Sequence, residues 1–322
     1  MPIIDAIVSQ HAEEAAFLWL LRDAAVAAPH YALADLAELD NRVEAHLDGL
    51  RVAGDEGWPF CAEGLRHQEG GEVFTAAVIA LEGDDRGRID EVYAAVEAAT
   101  EAARALVSAI GWVLPERLQG KVAGLLGSRS ALWRRVGIAA CAVHRVDCGR
   151  HLDAALEDPD APLRARALRA VGEVARHDLL PAIQRQLGAE DPACAFWAAW
   201  SAVLLGNRAA GLAALKAIAF GESPWAQRAL ELLMRIVEPA QTRGWLTGLA
   251  QDPTRQRDLI AACGATGDPL YLPWLIGQMA AKAELARPAG ESFTLISGAD
   301  LALQDLEGDR PQGLSAGPTA DP

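Results

Sequence analysis

Residues 156–172 read LEDPDAPLRARALRAVG, and residues 189–206 read AEDPACAFWAAWSAVLLG. Both open on an acidic-Pro turn, run through Ala-rich helical sequence and close on Gly. Pro suits a helix start because the N–H it lacks has no partner there, and the acidic side chain before it can accept a first-turn N–H. This gives Asp158 the role of cap. Leu163, Ala167, Ala170, Val171 and Val174 then fall at i, i+4, i+7, i+8 and i+11, one apolar stripe. Leu168 points elsewhere, as a helix packed between two neighbours requires. His177-Asp178 ends this helix and opens a shorter one, whose stripe is Leu180, Ile183 and Leu187.

The same signal recurs. Pro159, Pro192, Pro224 and Pro253 are 33, 32 and 29 residues apart, each preceded by an acidic residue one or two positions back. One period earlier, Gly127-Ser128-Arg129-Ser130 fills the slot. Five units follow, near 125–155, 156–186, 187–219, 220–250 and 251–280. A second helix recurs as HLDAAL (151–156), GLAALKAI (211–218), RGWLTGL (243–249) and DPLYLPWLI (268–276). Units of this period are supersecondary hairpins that bury their apolar faces only by stacking. The expected fold is all-α, a right-handed α-solenoid.

LEDPDAPLRARALRAVG resembles a HEAT-like repeat in its L-x-D-P turn, the Arg after a hydrophobic residue and the closing Val-Gly. SALWRRVGIAACA (130–142) is similar, whereas Phe196, Gln227 and Gln256 stand in the Arg slot of the later units. The resemblance implies that Asp158, Arg164, Asp191 and Asp252 belong to a structural ladder between neighbouring units. Upstream, 71–83 and 99–126 read as degenerate helix pairs. Helices are expected at 5–28 and 33–53, separated by Pro29, with Gly54 ending the second. The expected organisation is an acidic helical hairpin (1–56), degenerate units (57–124), five repeats (125–281), a C-terminal helix or cap (282–307) and a disordered Gly/Pro-rich tail (308–322).

Three further stretches, HAEEAAFLWLLRDAAV (11–26), PHYALADLAELDNRVEAHLDGLRVAG (29–54) and ARPAGESFTLISGADL (286–301), carry a narrower resemblance. With the repeats between them they resemble a family of proteobacterial HEAT-repeat proteins associated with type VI secretion gene neighbourhoods. That resemblance implies a secretion-system partner protein: an adaptor, a chaperone-like loader or an immunity protein that sequesters a toxin. It supplies no catalytic motif.

Charge and chemistry agree with a binding role. The net charge is −15 over 322 residues. It divides into −13 over 1–124 (22 acids, 9 bases), +2 over 125–281 (15 acids, 17 bases) and −4 beyond (7 acids, 3 bases). Such a chain grips neither nucleic acid nor an anionic membrane. No apolar run reaches the roughly 18–20 residues of a membrane span. The acidic start lacks the basic region of a signal peptide, so a cytoplasmic protein is expected. Five scattered Cys, with no C-x-x-C, suit buried thiols in a reducing compartment.

No phosphate loop, G-x-S-x-G elbow or H-E-x-x-H is present. None of the seven His precedes a Glu, which argues against the iron-dependent HEAT-like hydroxylases. No cofactor or metal is expected. The candidate docking groove comprises Trp133, Arg134, Arg135, Arg166, Arg169, Phe196, Trp197, Trp200, Trp225 and Arg228, because Trp and Arg dominate interface hot spots. HEAT-type stacks line their concave face with the second helix of each unit, and these residues are assigned to it. Two alternatives remain open: a HEAT-like DNA-acting enzyme or cofactor-handling lyase, and a structural homo-oligomer whose acidic N-terminal region docks on the Arg-bearing middle of a neighbour.

Overall fold

In the computed structural model, which describes residues 3–28 and 31–308, every regular element is helical. The chain is an all-α protein of HEAT-like helix hairpins, the α-solenoid class its period predicts. It divides into two compact units, residues 1–185 and 186–322.

Unit 1 opens with the antiparallel pair α1 (Asp5–Ala25) and α2 (Leu33–Ala53), followed by α3 (Trp58–Gly64), α4 (Gly70–Gly83), α5 (Arg86–Ala98) and α6 (Ala103–Trp112). Helix α4 packs against all five of the others, and ten of its fourteen residues are buried. Phe74 stacks on Trp19 with centroids 5.1 Å apart and meets Trp112 edge-on at 5.4 Å. Gly71 lets α4 touch the α1 backbone: a Cβ there would lie 2.3 Å from the Ala16 carbonyl oxygen. Helices α7 (Lys121–Leu126), α8 (Ala131–Val143), α9 (Arg150–Ala155), α10 (Ala161–Glu173) and α11 (Leu180–Arg185) complete the unit, with α8 packed between α6 and α10.

Unit 2 contains α12 (Pro192–Leu204), α13 (Arg208–Ala219), α14 (Ala226–Ile236), α15 (Pro239–Leu249), α16 (Gln256–Thr266), α17 (Leu272–Ala281) and α18 (Ala283–Ser297). Helices α14, α16 and α18 stack in succession, with α13, α15 and α17 alongside. The tail expected from 308 onward lies outside the described residues except for Gly308, as does Pro29.

The repeat has a shared turn. After α8, Arg145 adopts φ 57°, the Val146 N–H donates to the Cys141 carbonyl (2.9 Å) and the Arg145 N–H to that of Ala142 (3.1 Å). After α10, Ala175 has φ 56° and Arg176 donates to Val171 (3.0 Å). After α12, Gly206 has φ 86° and Asn207 donates to Ala202 (2.9 Å). All three close orphan carbonyls by the Schellman pattern, but two use a residue with a Cβ where Gly is the unstrained choice.

The helix starts differ from expectation in one respect. Asp160, not Asp158, caps α10 by accepting the Leu163 N–H at 2.8 Å. The D-P-D spacing puts Asp158 two residues too early to reach that N–H. Instead, Asp158 Oδ1 accepts the Asp160 N–H (3.0 Å), and Oδ2 receives Arg134 Nη2 of the preceding repeat (2.6 Å).

Candidate functional site

The ladder residues take separate places. Arg134 Nη1 donates to the carbonyls of Ser128 (3.0 Å) and Arg129 (2.8 Å) in its own turn, while Nη2 reaches across to Asp158. Thirty residues later Arg164 repeats the first half of this pattern, bonding the carbonyls of Asp158 (2.7 Å) and Pro159 (3.0 Å). Burial works to raise the Asp158 pKa, but the Asp160 N–H and the two guanidinium groups outweigh it and hold the carboxyl below its usual range. Asp191 caps α12 through the Cys194 N–H (2.8 Å), and Asp252 accepts the Thr254 N–H and hydroxyl.

The groove candidates lie on, or at the start of, the leading helices α8, α10, α12 and α14, not on the second helix of each unit. These leading helices carry broad apolar faces, which explains why most of their rings are buried. Trp133 is buried, tilted against Tyr93 at 4.7 Å, with its indole N–H on Glu97 (2.8 Å). Arg166 and Arg169 converge on Glu173, each at 2.8 Å. Arg135 is half-buried.

Five candidates do come together. On α12, Phe196 and Trp197 are buried and Trp200 is half-buried; at the start of α14 lie half-buried Trp225 and exposed Arg228. Phe196 stacks on Trp225 (4.6 Å), Trp197 meets Trp225 (5.5 Å), and Trp200 stands edge-on to Trp197 (5.4 Å). Arg228 Cζ lies 5.1 Å from the Trp197 ring, 5.7 Å from Trp225 and 5.8 Å from Phe196. The inner rings are core, whereas Trp200, Trp225 and Arg228 reach solvent as an aromatic edge under a cation.

A second aromatic–cation patch, which the residue spacing does not signal, lies on the second helices of unit 2. Lys216 of α13 sits 5.0 Å over Trp245 of α15, and Phe220, exposed, meets that ring at 6.2 Å. Helices α13, α15 and α17 contain no Asp or Glu. Their carboxylates stand at helix ends instead, among them Glu222, Glu238 and Asp268. The signal was present in RGWLTGL, a Trp and an Arg in a segment read only as a partner helix.

Two clefts lie in unit 1. One, of about 500 Å³, is lined by Arg51, Glu82, Asp85 and Arg88 among others. Within it Arg51 binds Glu44, Asp48 and Glu82, and Arg88 binds Asp55 and Asp85. The other, about 680 Å³, is lined by Tyr93, Trp133, Gly120 and Gly124 among others. There Lys121 is paired with Asp84 at 2.5 Å. Among the described residues, no three His, Cys, Asp or Glu side chains converge as a metal set. No helix among them is long and apolar enough to cross a membrane.

A family pattern of HEAT repeats matches residues 150–235, from the start of α9 through almost all of α14. The match spans Arg164, Asp191 and the whole Trp197–Arg228 cluster. A search of curated proteins returns no match to the chain. Residues 150–235 are therefore similar to HEAT repeats, an architecture that generally serves to hold other proteins.

Proposed function

We propose that this chain is a non-enzymatic scaffold and that a partner protein seats on the edge formed by Trp200, Trp225 and Arg228. The observation that carries this reading is the position of Arg228, exposed yet within 5.8 Å of three aromatic rings. Such a group sets a cation beside an apolar wall, the composition of an interface hot spot. The Lys216–Trp245–Phe220 patch, on helices whose own spans hold no Asp or Glu, favours a partner that brings an acidic segment with apolar side chains.

The finer assignment rests on resemblance alone. The stretches 11–26, 29–54 and 286–301 support a cytoplasmic role beside a type VI secretion system, as adaptor, chaperone-like loader or immunity protein. Quantitative cross-linking of the full chain in its native host, followed by affinity measurement with the captured partner, tests both levels. Arg228→Ala and Trp200→Ala are each expected to weaken binding by about 30-fold, corresponding to roughly 2 kcal/mol. Unchanged affinity in both variants, with melting temperatures intact, overturns the docking edge. A captured set without secretion components overturns the setting.

A further inference from the structure

Two imidazoles of unit 1 have no part in the proposed docking. His11 stands on α1 and His46 on α2, both half-buried. Their Nδ1 atoms meet at 3.2 Å, and the rings stand edge-on with centroids 5.2 Å apart. Gly49, three residues beyond His46, makes room for this contact: a Cβ there would lie 2.5 Å from the His11 ring. The ring therefore rests against the α2 backbone. On either side of it in sequence, Val43, Leu47 and Leu50 of α2 are buried in the core of unit 1.

We propose that the His11–His46 pair is an acid-sensitive latch on the α1–α2 hairpin, closed while one of the two Nδ1 atoms lacks a proton and opened when both carry one. A hydrogen bond between two Nδ1 atoms needs one N–H and one lone pair. Two neutral rings supply it when one holds its proton on Nδ1 and the other on Nε2. A first added proton takes the free Nε2 of the donor ring. The donor becomes an imidazolium, and the bond survives with a charge to assist it. A second proton has only the accepting Nδ1 left. No lone pair then remains between the rings, and two cations face each other across a half-buried contact. Separation of the rings relieves this. It draws α2 away from α1 and uncovers Val43, Leu47 and Leu50.

The surroundings resist the second proton. Burial first, and His11 second, lower the His46 pKa; Arg42 of α2 adds to them, and Glu14 of α1 is the carboxylate that opposes them. Packed against the hairpin are α3, α4 and the turn Gly54–Gly57. Their charges are directed elsewhere: Glu63 to Arg66, Glu82 to Arg51 and Asp55 to Arg88, with Glu72 against Gly64 and Glu56 exposed. A histidine with a lowered folded pKa contributes its full stability above the ordinary value of about 6.5 and loses that contribution as pH falls below it. The depressed aspartates of the repeats lose theirs only below about 3.9, so the two effects occupy separate windows.

The test uses the full chain between about pH 7.5 and pH 5, the range in which imidazoles titrate. Hydrogen exchange read by mass spectrometry, corrected for its intrinsic pH dependence, reports opening of segments 5–25 and 33–53. Exchange is expected to quicken by up to ~10-fold per pH unit, because the open hairpin binds one proton more than the closed one. His11→Gln and His46→Gln each remove one titrating ring and leave an uncharged amide that donates and accepts at every pH. The acid-dependent step is expected to vanish in both. Imidazole NMR of His11→Gln should show the His46 titration moved up towards about 6.5, a shift that lost packing alone does not produce. Melting at pH 7.5 establishes that the variants fold. Exchange in the native chain that does not quicken in acid, an acid step retained in the folded variants, or a His46 titration unmoved by His11→Gln would overturn the latch.

Discussion

Arg176, in the turn after α10, places Nη1 3.0 Å from both carboxylate oxygens of Asp147 in the turn after α8. The same guanidinium reaches Asp153 (3.1 Å) and binds Asp178 through two bonds of 2.7 Å. Its pKa is raised, first by the Asp178 bonds and then, against burial, by Asp147. One side chain thus gathers three carboxylates and joins two repeats. Arg176→Ala leaves those carboxylates facing one another and is expected to cost about 1–2 kcal/mol, more than an isolated surface pair. Arg176→Lys keeps the charge without the fork and should lie between the two. Urea unfolding at low and high salt measures both.

Ala175 has φ 56° at the position where the third repeat uses Gly206. A Cβ in the left-handed region costs roughly 1 kcal/mol, and the residue lies mid-turn, outside any helix. Ala175→Gly is therefore expected to stabilise the chain by a few tenths to about 1 kcal/mol, after the added entropy of the unfolded state is deducted. A lowered urea midpoint would show that the Schellman turn is not under strain.

Gly71→Ala sets a methyl group 2.3 Å from a backbone oxygen of α1, which no rotamer can relieve. Helices α1 and α4 must separate, and a loss of about 2–3 kcal/mol is expected. Gly124→Ala, where a Cβ meets nothing within 4 Å, serves as the control and should gain slightly from helix propensity. Thermal melts of the two variants should move in opposite directions.

Acid should loosen the repeat region through depressed carboxyls. Asp158 is held low by the Asp160 N–H and Arg134 against burial, and Asp178 is held low by its bonds to Arg176. A carboxyl whose folded pKa is depressed contributes stability that is full above its unfolded value of about 3.9. That contribution disappears as pH falls through the folded value. The difference in urea midpoint between the native chain and Asp158→Asn/Asp178→Asn should be present at pH 7 and shrink as pH falls below about 3.9. A difference independent of pH would assign the loss to packing.

The helical class, the period and the turn positions were legible because Pro159, Pro192, Pro224 and Pro253 mark helix starts and the stripe at 163–174 has a helical period. Capping was misread by two residues: D-P-D offers two carboxylates, and backbone geometry alone decides that Asp160 takes the cap. The Trp and Arg residues were legible as a set but not as inside or outside. Trp133 and Trp200 occupy similar Ala-rich helices, yet one is buried against Tyr93 and the other reaches solvent. Which side of a stacked helix faces a neighbour depends on the rotation between repeats, which no residue spacing encodes.

Helix α4 is enclosed by α1, α2, α3, α5 and α6. Repeat arrays ordinarily lose or gain modules one at a time, because each module leans only on its flanks. An enclosed rod forbids that economy: deleting any surrounding helix would lay bare a row of Val, Ile, Phe and Leu. This segment is thus expected to melt as one cooperative block, so in related sequences, length changes should accumulate in the modules beyond it.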